Sequence, residues 1–273
     1  MKFKDITYSK NNGRAKIVIN RPNKLNAFTN FTLHEMIKAL SDAWVDKDVG
    51  VVIITGAGNK AFSVGGDQTI RTQEGYDPTG LKETGPKGLE ALPMPNLHAM
   101  LMQTIKTISK PVIAMVNGYA IGGGHVIHVV CDLTIASKTA KFGQVGPRVG
   151  SFDAGYGSAY LARVVGEKKA REIWYLCQQY TADEALDMGL VNRVVEPEKL
   201  EEEVEKVCDI LLSHSPTSLS ALKTSFNADT DSIWGIHSMA GVALNLYYGT
   251  EEALEGKNAF IEKRKADFAK FRA

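Results

Sequence analysis

The stretch Pro111-Val112-Ile113-Ala114-Met115-Val116-Asn117-Gly118-Tyr119-Ala120-Ile121-Gly122-Gly123-Gly124-His125 runs from a continuous apolar segment straight into a glycine turn. Residues 111–116 do not alternate polar with apolar, so they read as a strand covered on both faces. The glycines that follow leave backbone N–H groups without a side chain in the way. Beyond them comes a second apolar stretch, Gly122 to Val130. The same design occurs upstream: Val51 to Thr55 is a buried strand, and Ala61-Phe62-Ser63-Val64-Gly65-Gly66-Asp67-Gln68 comes soon after it. Two convergent N–H groups from separate turns can form an oxyanion hole suited to a thioester enolate. Glycines after strands also serve tight packing, and the residues alone leave both readings open.

Outward from this centre, Arg14 to Asn20 reads as a strand and Arg21-Pro22-Asn23 as a turn. Thr29 or Asn30 caps a helix to about Val45, with Leu33, Met36, Ile37 and Leu40 on one face. Asp132 to Ala136 is a further strand, and Phe142 lies near a fourth. From about Glu167 the pattern is helical: Lys168 to Cys177, Ala182 to Met188, Glu198 to Leu212, Thr217 to Asn227, and two more helices after Asp229. Strands followed by helices predict an α/β fold, with a sheet-bearing core over 1–195 and a helical C-terminal region over 196–273. The stretch near 70–95, with Tyr76 and several glycines and prolines, has no periodicity and is expected to be a flexible flap over the substrate pocket.

The chain has 273 residues, 44% of them hydrophobic, enough for one sizeable core. Lys and Arg total 32 against 31 Asp and Glu, which gives no electrostatic footprint for nucleic acid and no polybasic membrane patch. No apolar run suggests a membrane span, and the N-terminus turns polar at once, so a cytoplasmic protein is expected. Cys131, Cys177 and Cys208, without CxxC spacing, read as buried free thiols. Thr55-Gly56-Ala57-Gly58-Asn59-Lys60-Ala61 imitates a dinucleotide fingerprint, but Phe62-Ser63-Val64-Gly65-Gly66 breaks the helix such a motif must open. His125 and His128 could share a metal, yet no third ligand is evident, so packing or substrate-lining roles are expected and no metal.

A third segment, Phe142 to Gly157, is a glycine-rich loop carrying Ser151 and Asp153 two residues apart. They could form a hydrogen-bonding pair in one pocket, or Asp153 could merely cap the following helix. Taken in order, Phe-Ser-Val-Gly-Gly-Asp (62–67), Gly-Tyr-Ala-Ile-Gly-Gly-Gly (118–124), Asp-Leu-Thr-Ile-Ala (132–136) and Phe-Gly-Gln (142–144) resemble the crotonase superfamily. Asn20-Arg21-Pro22 with Asn26-Ala27-Phe28 resembles its first coenzyme A-contacting turn. The resemblance covers nearly the whole chain. It implies a crotonase-like ββα spiral, a helical trimerisation region, and a homo-oligomer, trimer or hexamer. It also implies an acyl-CoA substrate, with the thioester oxygen held by the N–H groups of Gly66 and Gly123. Coenzyme A arrives as part of the substrate, and no separate cofactor is required. Lys24, Asn26, Ala27, Val64, Gly65, Asp67, Gln68, Tyr76, Tyr119, Gly122, Val145, Phe260 and Lys263 match substrate- or CoA-contacting positions.

Within the superfamily the acid and base residues tell the reactions apart. The two positions that carry glutamates in the alkene hydratases are Val126 and Gly146 here, and neither moves a proton, so simple hydration is not expected. The loop 150–157, Lys168 to Tyr175, and Tyr247 to Glu252 instead resemble two carbon–carbon bond enzymes. These are 2-ketocyclohexanecarboxyl-CoA hydrolase, which opens a ring, and 1,4-dihydroxy-2-naphthoyl-CoA synthase, which closes one. The resemblance makes Asp153, Ser151 and Tyr248 the catalytic group, with Tyr248 drawn from this subunit or a neighbour. Gln144, Gly146 and Trp174 match the synthase's bicarbonate pocket. Thr69 where the synthases carry Lys, Val145 where they carry Thr, and Leu97-His98 favour the hydrolase. Arg71 and Ser151-Phe152-Asp153-Ala154 are synthase-like. A non-catalytic acyl-CoA-binding protein would not need Asp153, Ser151 and Tyr248 together.

Overall fold

The computed structural model describes residues 2–72, 75–76 and 97–272. Most of the expected flap therefore lies outside the described residues, which include only Ile70, Arg71 and the backbone of Thr72, Gly75 and Tyr76 from that stretch. The chain opens with an antiparallel hairpin, β1 (Ile6–Asn11) and β2 (Arg14–Ile19), closed by Asn12-Gly13. Helix α1 (Asn30–Val45) follows, and its N-cap is Thr29, whose side chain accepts the Thr32 N–H in a capping box.

From there the chain repeats one unit: a strand in a large sheet, a strand in a small sheet, then a helix. Strands β3 (Val51–Gly56) and β4 (Ala61–Ser63) begin the first turn. After the short pair β5 (Arg71–Thr72) and β6 (Gly75–Tyr76), α2 (Leu97–Thr107) completes it. The second turn is β7 (Val112–Val116), β8 (Tyr119–Ile121) and α3 (Gly123–Val130). The third opens with β9 (Leu133–Ser137) and β10 (Lys141–Gly143), and its return runs through α4 (Leu161–Val165) and α5 (Glu167–Leu176). Strand β11 (Gln179–Thr181), α6 (Ala182–Asp187) and β12 (Arg193–Val195) finish the spiral. The large sheet has the order β1-β2-β3-β7-β9-β12, all neighbours beyond the hairpin being parallel. The small sheet is β11-β10-β8-β4.

Burial on two sides explains why β3 and β7 do not alternate. Val52, Ile54, Val112 and Ala114 face one core with Leu40, Leu101 and Ile127. Val51, Ile53, Ile113 and Met115 face a second core, closed by Leu200, Val204, Val207 and Cys208. Those last four belong to α7 (Leu200–Leu212), which packs on the outer face of the large sheet. Cys131, Cys177 and Cys208 are free and buried, as the sequence suggested.

Three helices follow: α8 (Pro216–Ala228), α9 (Asp231–Tyr248) and α10 (Glu251–Ile261). A buried lysine holds α8 to the core. The Lys223 ammonium donates to the Ile105 carbonyl (2.8 Å), the Lys110 carbonyl (3.0 Å) and the Asp132 carboxylate (2.7 Å). Among the described residues no helix is long and apolar enough to cross a membrane.

Candidate active site

Strands β4 and β8 are parallel neighbours, with Ala61 opposite Tyr119 and Ser63 opposite Ala120. The turns after them therefore leave the small sheet side by side. Gly65 has φ +86°, and a Cβ there would lie 2.8 Å from the Gly123 nitrogen, so this contact admits glycine alone. Phe28 splints the first turn: its N–H donates to the Gly65 carbonyl (2.8 Å), and its carbonyl accepts the Asp67 N–H (2.9 Å). Gly123 opens α3, where first-turn N–H groups have no intrahelical acceptor. Among the described residues no acceptor takes the N–H of Gly66 or of Gly123. Two free donors on abutting turns, one at the positive end of a helix, form a seat for an oxyanion.

Several residues matched to CoA contact are committed to building these turns. Asn26 is 1% exposed. Its amide donates to the carbonyls of Ala57 (3.0 Å) and Ala61 (2.7 Å), and its oxygen accepts the Arg21 N–H. The Asp67 carboxylate accepts from Arg21 and from the Thr69 N–H and hydroxyl, while Arg21 also donates to the Ala27 carbonyl. Asn26 and Asp67 thus act as internal staples whose polar atoms are engaged by protein. Val64, Gly122 and Val145 are partly exposed around the oxyanion turns, with Gln68 beside them, and Lys24 and Tyr119 are exposed. Phe260 and Lys263 are exposed at the end of α10, which packs on the Gly146–Val149 and Gln68–Ile70 turns. The Tyr76 side chain lies outside the described residues.

The third segment comes together with the C-terminal helices of the same chain. The Ser151 hydroxyl lies 2.8 Å from the Tyr248 hydroxyl. Arg71, fully buried, donates to the carbonyls of Val149 (2.9 Å), Gly150 (3.2 Å) and Ala253 (2.9 Å), and its guanidinium sits 4.8 Å from the Tyr248 ring centroid. Burial holds the Tyr248 phenol above its ordinary pKa, and Asp153 adds to the rise. Ser151 and Arg71 oppose it. The phenol is a proton donor at neutral pH.

Asp153 is not paired with Ser151, contrary to one of the two sequence readings, because Ser151 is taken by Tyr248. One Asp153 oxygen accepts the Gly157 N–H (3.0 Å), but the N-cap of the Tyr156–Tyr160 turn is Gly155, so Asp153 ties that turn from two residues before its cap rather than capping it. The carboxylate nonetheless faces two histidines: His98 Nδ1 is 3.5 Å from Oδ2, and His237 Nδ1 is 3.5 Å from Oδ1. At Gly155, φ +82°, a Cβ would lie 2.5 Å from the His237 Cβ, which lets α9 dock against the loop backbone. His237 and Tyr248, eleven residues apart on α9, then share the face turned to that loop. The sequence reading did not assign a role to either histidine; each is an isolated residue whose meaning depends on Asp153.

Val126 is fully buried in α3. At Gly146 a Cβ would lie 2.7 Å from the Ser151 carbonyl oxygen and 2.8 Å from the Trp174 ring, leaving no room for a glutamate. Two of the residues matched to a bicarbonate pocket make protein contacts. Trp174 Nε1 donates to the Gly157 carbonyl (2.5 Å), and the Gln144 amide pairs with His125 Nδ1 (3.2 Å).

His125 and His128 stack edge to face, 4.8 Å between centroids, on the buried side of α3 itself. Burial lowers His125 to about 3 and His128 well below its ordinary value. Both rings are neutral in the folded chain but take up protons near pH 6.5 when it unfolds. Their folded pKa values are depressed, so the stability is present above pH 6.5 and is lost as the pH falls toward about 3. The expected slope approaches about 2.7 kcal/mol per pH unit for the pair below pH ~5.5, and buried His98 adds to it. Urea unfolding at pH 7.5, 6 and 5 measures this; a flat unfolding free energy over that range would contradict it.

A profile of the enoyl-CoA hydratase/isomerase family matches residues 9–271. The structure is similar to an enoyl-CoA hydratase from Mycobacterium avium subsp. paratuberculosis K-10, at TM-score 0.83 and 28% identity, covering 98% of this chain and 99% of that one. It is also similar to an enoyl-CoA hydratase/isomerase from Pseudoalteromonas atlantica T6c, at TM-score 0.82 and 26% identity over 97% of this chain and 100% of the other. A methylmalonyl-CoA decarboxylase in complex with 2-nitronate-propionyl-CoA matches at TM-score 0.81 and 25% identity, over 98% and 99% of the two chains. With the ββα spiral and paired glycine turns in place, the chain belongs to the enoyl-CoA hydratase/isomerase family of the crotonase superfamily and is an acyl-CoA enzyme.

Proposed function

We propose that this enzyme opens the ring of a cyclic β-ketoacyl-CoA with water, a retro-Dieckmann cleavage of the 2-ketocyclohexanecarboxyl-CoA type. One observation carries the reading. Tyr248 meets Ser151 in the loop that holds Asp153, whereas the two hydratase positions are a buried Val126 and a Gly146 without space. The thioester oxygen sits between the N–H groups of Gly66 and Gly123. Water adds to the ring ketone, with Asp153 assisting. Collapse of the adduct breaks the Cα–C bond and leaves a thioester enolate on the two N–H donors, a form of stabilisation worth about 3 kcal/mol per donor. Tyr248, held by Ser151, then protonates Cα. Lys24, Ala27, Val64, Gln68 and Tyr119 border the path for coenzyme A. The exposed apolar faces of α8 and α9, with Phe226, Met239, Val242 and Leu246, suit a homo-oligomer.

The ring-closing naphthoyl-CoA synthase runs the same enolate chemistry in the opposite sense. Of the groups matched to its anion pocket, Trp174 Nε1 and one Gln144 amide N–H already have protein partners, which favours the ring-opening sense. Mass spectrometry of CoA thioesters after incubation with 2-ketocyclohexanecarboxyl-CoA or o-succinylbenzoyl-CoA decides between them. Pimeloyl-CoA, carrying one ¹⁸O from labelled water, is expected from the first, at a rate unchanged in bicarbonate-free buffer. Dihydroxynaphthoyl-CoA from the second substrate would sink the reading.

A further inference from the structure

The proposed ring opening needs a group to take a proton from the attacking water, and Asp153 is poorly placed for that. One of its oxygens is bound to the Gly157 N–H and flanked by His237; the other faces His98. Surrounded by donors, it is better suited to orient a base. His98 stands between Asp153 and the oxyanion turns. Its ring stacks on Phe28 at 5.7 Å and 23° between planes, and Nδ1 faces Asp153 Oδ2. Nε2 is buried, makes no well-aligned hydrogen bond among the described residues, and lies beside the Gly123 backbone, 3.4 Å from where a Cβ on Gly123 would be. His237 is tied differently: its Nδ1 reaches the Ala154 carbonyl at 2.8 Å, and its ring packs on Tyr156.

We infer that His98 is the general base of the ring opening, with Asp153 as the residue that positions it. The inference rests on the ring-opening reading above. With the proton on Nδ1, toward the carboxylate, the Nε2 lone pair is left beside the Gly123 backbone, at the oxyanion turn. Burial lowers the pKa of His98, Asp153 opposes the shift, the facing His237 adds to it and the Gly123 backbone opposes it; the net direction is down, so the imidazole is neutral at neutral pH. The 3.5 Å approach to Asp153 is of the length such contacts have before substrate closes the site.

The step balances without a redox partner. A water proton passes to Nε2, the water oxygen bonds to the ketone carbon, and the ketone π pair moves onto its oxygen. Collapse restores that C=O, breaks the Cα–C bond and leaves its electron pair as the thioester enolate. Cα takes a proton from Tyr248. The new carboxylic acid ionises, one proton returns to the phenol, and the one on His98 leaves to solvent. The sum is cyclic ketoacyl-CoA plus water giving the open-chain carboxylate and one proton.

The test measures ring opening of 2-ketocyclohexanecarboxyl-CoA by wild type and His98→Gln across pH 5–9. The expected result is a loss of about a hundredfold or more in kcat, KM within about twofold, and disappearance of the acid limb of the kcat profile. If the wild type opens the ring and His98→Gln keeps both kcat and that limb, His98 is not the base, while the ring-opening reading stands. If the wild type makes no open-chain product, the reading falls and this assignment with it. Should His98→Gln fail to fold, ¹⁵N-histidine NMR of the wild type decides. A proton on His98 Nδ1 with bare Nε2 supports the role, and the opposite tautomer overturns it.

Discussion

Asp153→Asn is expected to lower kcat about a thousandfold while leaving KM and the fold nearly unchanged. The replacement is isosteric, and its amide oxygen can still accept the Gly157 N–H, so the loop keeps its shape. What disappears is the negative charge that faces Nδ1 of both His98 and His237. With the amide oxygen on Gly157, the NH₂ takes the place of Oδ2 and meets His98 Nδ1, a donor facing a donor, which favours the wrong imidazole tautomer. Because the carboxylate raises the pKa of His98 against burial, its loss moves the acid limb of the kcat profile to lower pH. Near-wild-type turnover with an unmoved profile would remove Asp153 from the mechanism, and circular dichroism excludes misfolding as the cause of a loss.

The second large effect falls on stability. Arg71 is nowhere near a carboxylate partner in the described contacts; its guanidinium is spent on three carbonyls and one aromatic ring. Arg71→Met keeps much of the side-chain volume but leaves the oxygens of Val149, Gly150 and Ala253 buried without that donor. Hydrogen bonds to a charged group are each worth ~1.5–3 kcal/mol, so a loss of about 3 kcal/mol or more is expected. The cation over Tyr248 goes too, and Gly150 precedes Ser151, so kcat should fall with stability. Arg71→Lys should recover only part of either, since one ammonium cannot reproduce a planar fork. Urea midpoints for the three proteins measure this. A change under 0.5 kcal/mol in Arg71→Met would mean the clamp is dispensable.

How much of this was legible beforehand follows from physical range. The strands β3 and β7 were readable because burial on two faces writes a continuous apolar run. The Thr29 cap was readable because capping is local. Strand β1 carries Thr, Ser, Lys and Asn on an edge hairpin, and β4, β8, β10 and β11 have three residues each, too few for a period. At the site, the glycine turns and the loop 150–157 could be located from their residues. Their partners could not. Ser151 and Asp153 looked like a pair because they are close in sequence, yet each found its partner on a distant helix. His98 and His237 acquire meaning only when α2 and α9 converge on Asp153.

The span of those contacts governs when the enzyme becomes an enzyme. Ser151 and Tyr248 are 97 residues apart, and Arg71 reaches Ala253 across 182. Closing such loops costs chain entropy before the contact rewards it, so these pairings form late. As the chain emerges N-terminus first, the spiral with its two glycine turns can assemble while α9 and α10 are still absent. At that stage the two free N–H donors exist, but the phenol proposed to protonate the enolate does not. Catalytic competence is therefore a property of the finished chain, and during refolding it should lag the return of helix and sheet.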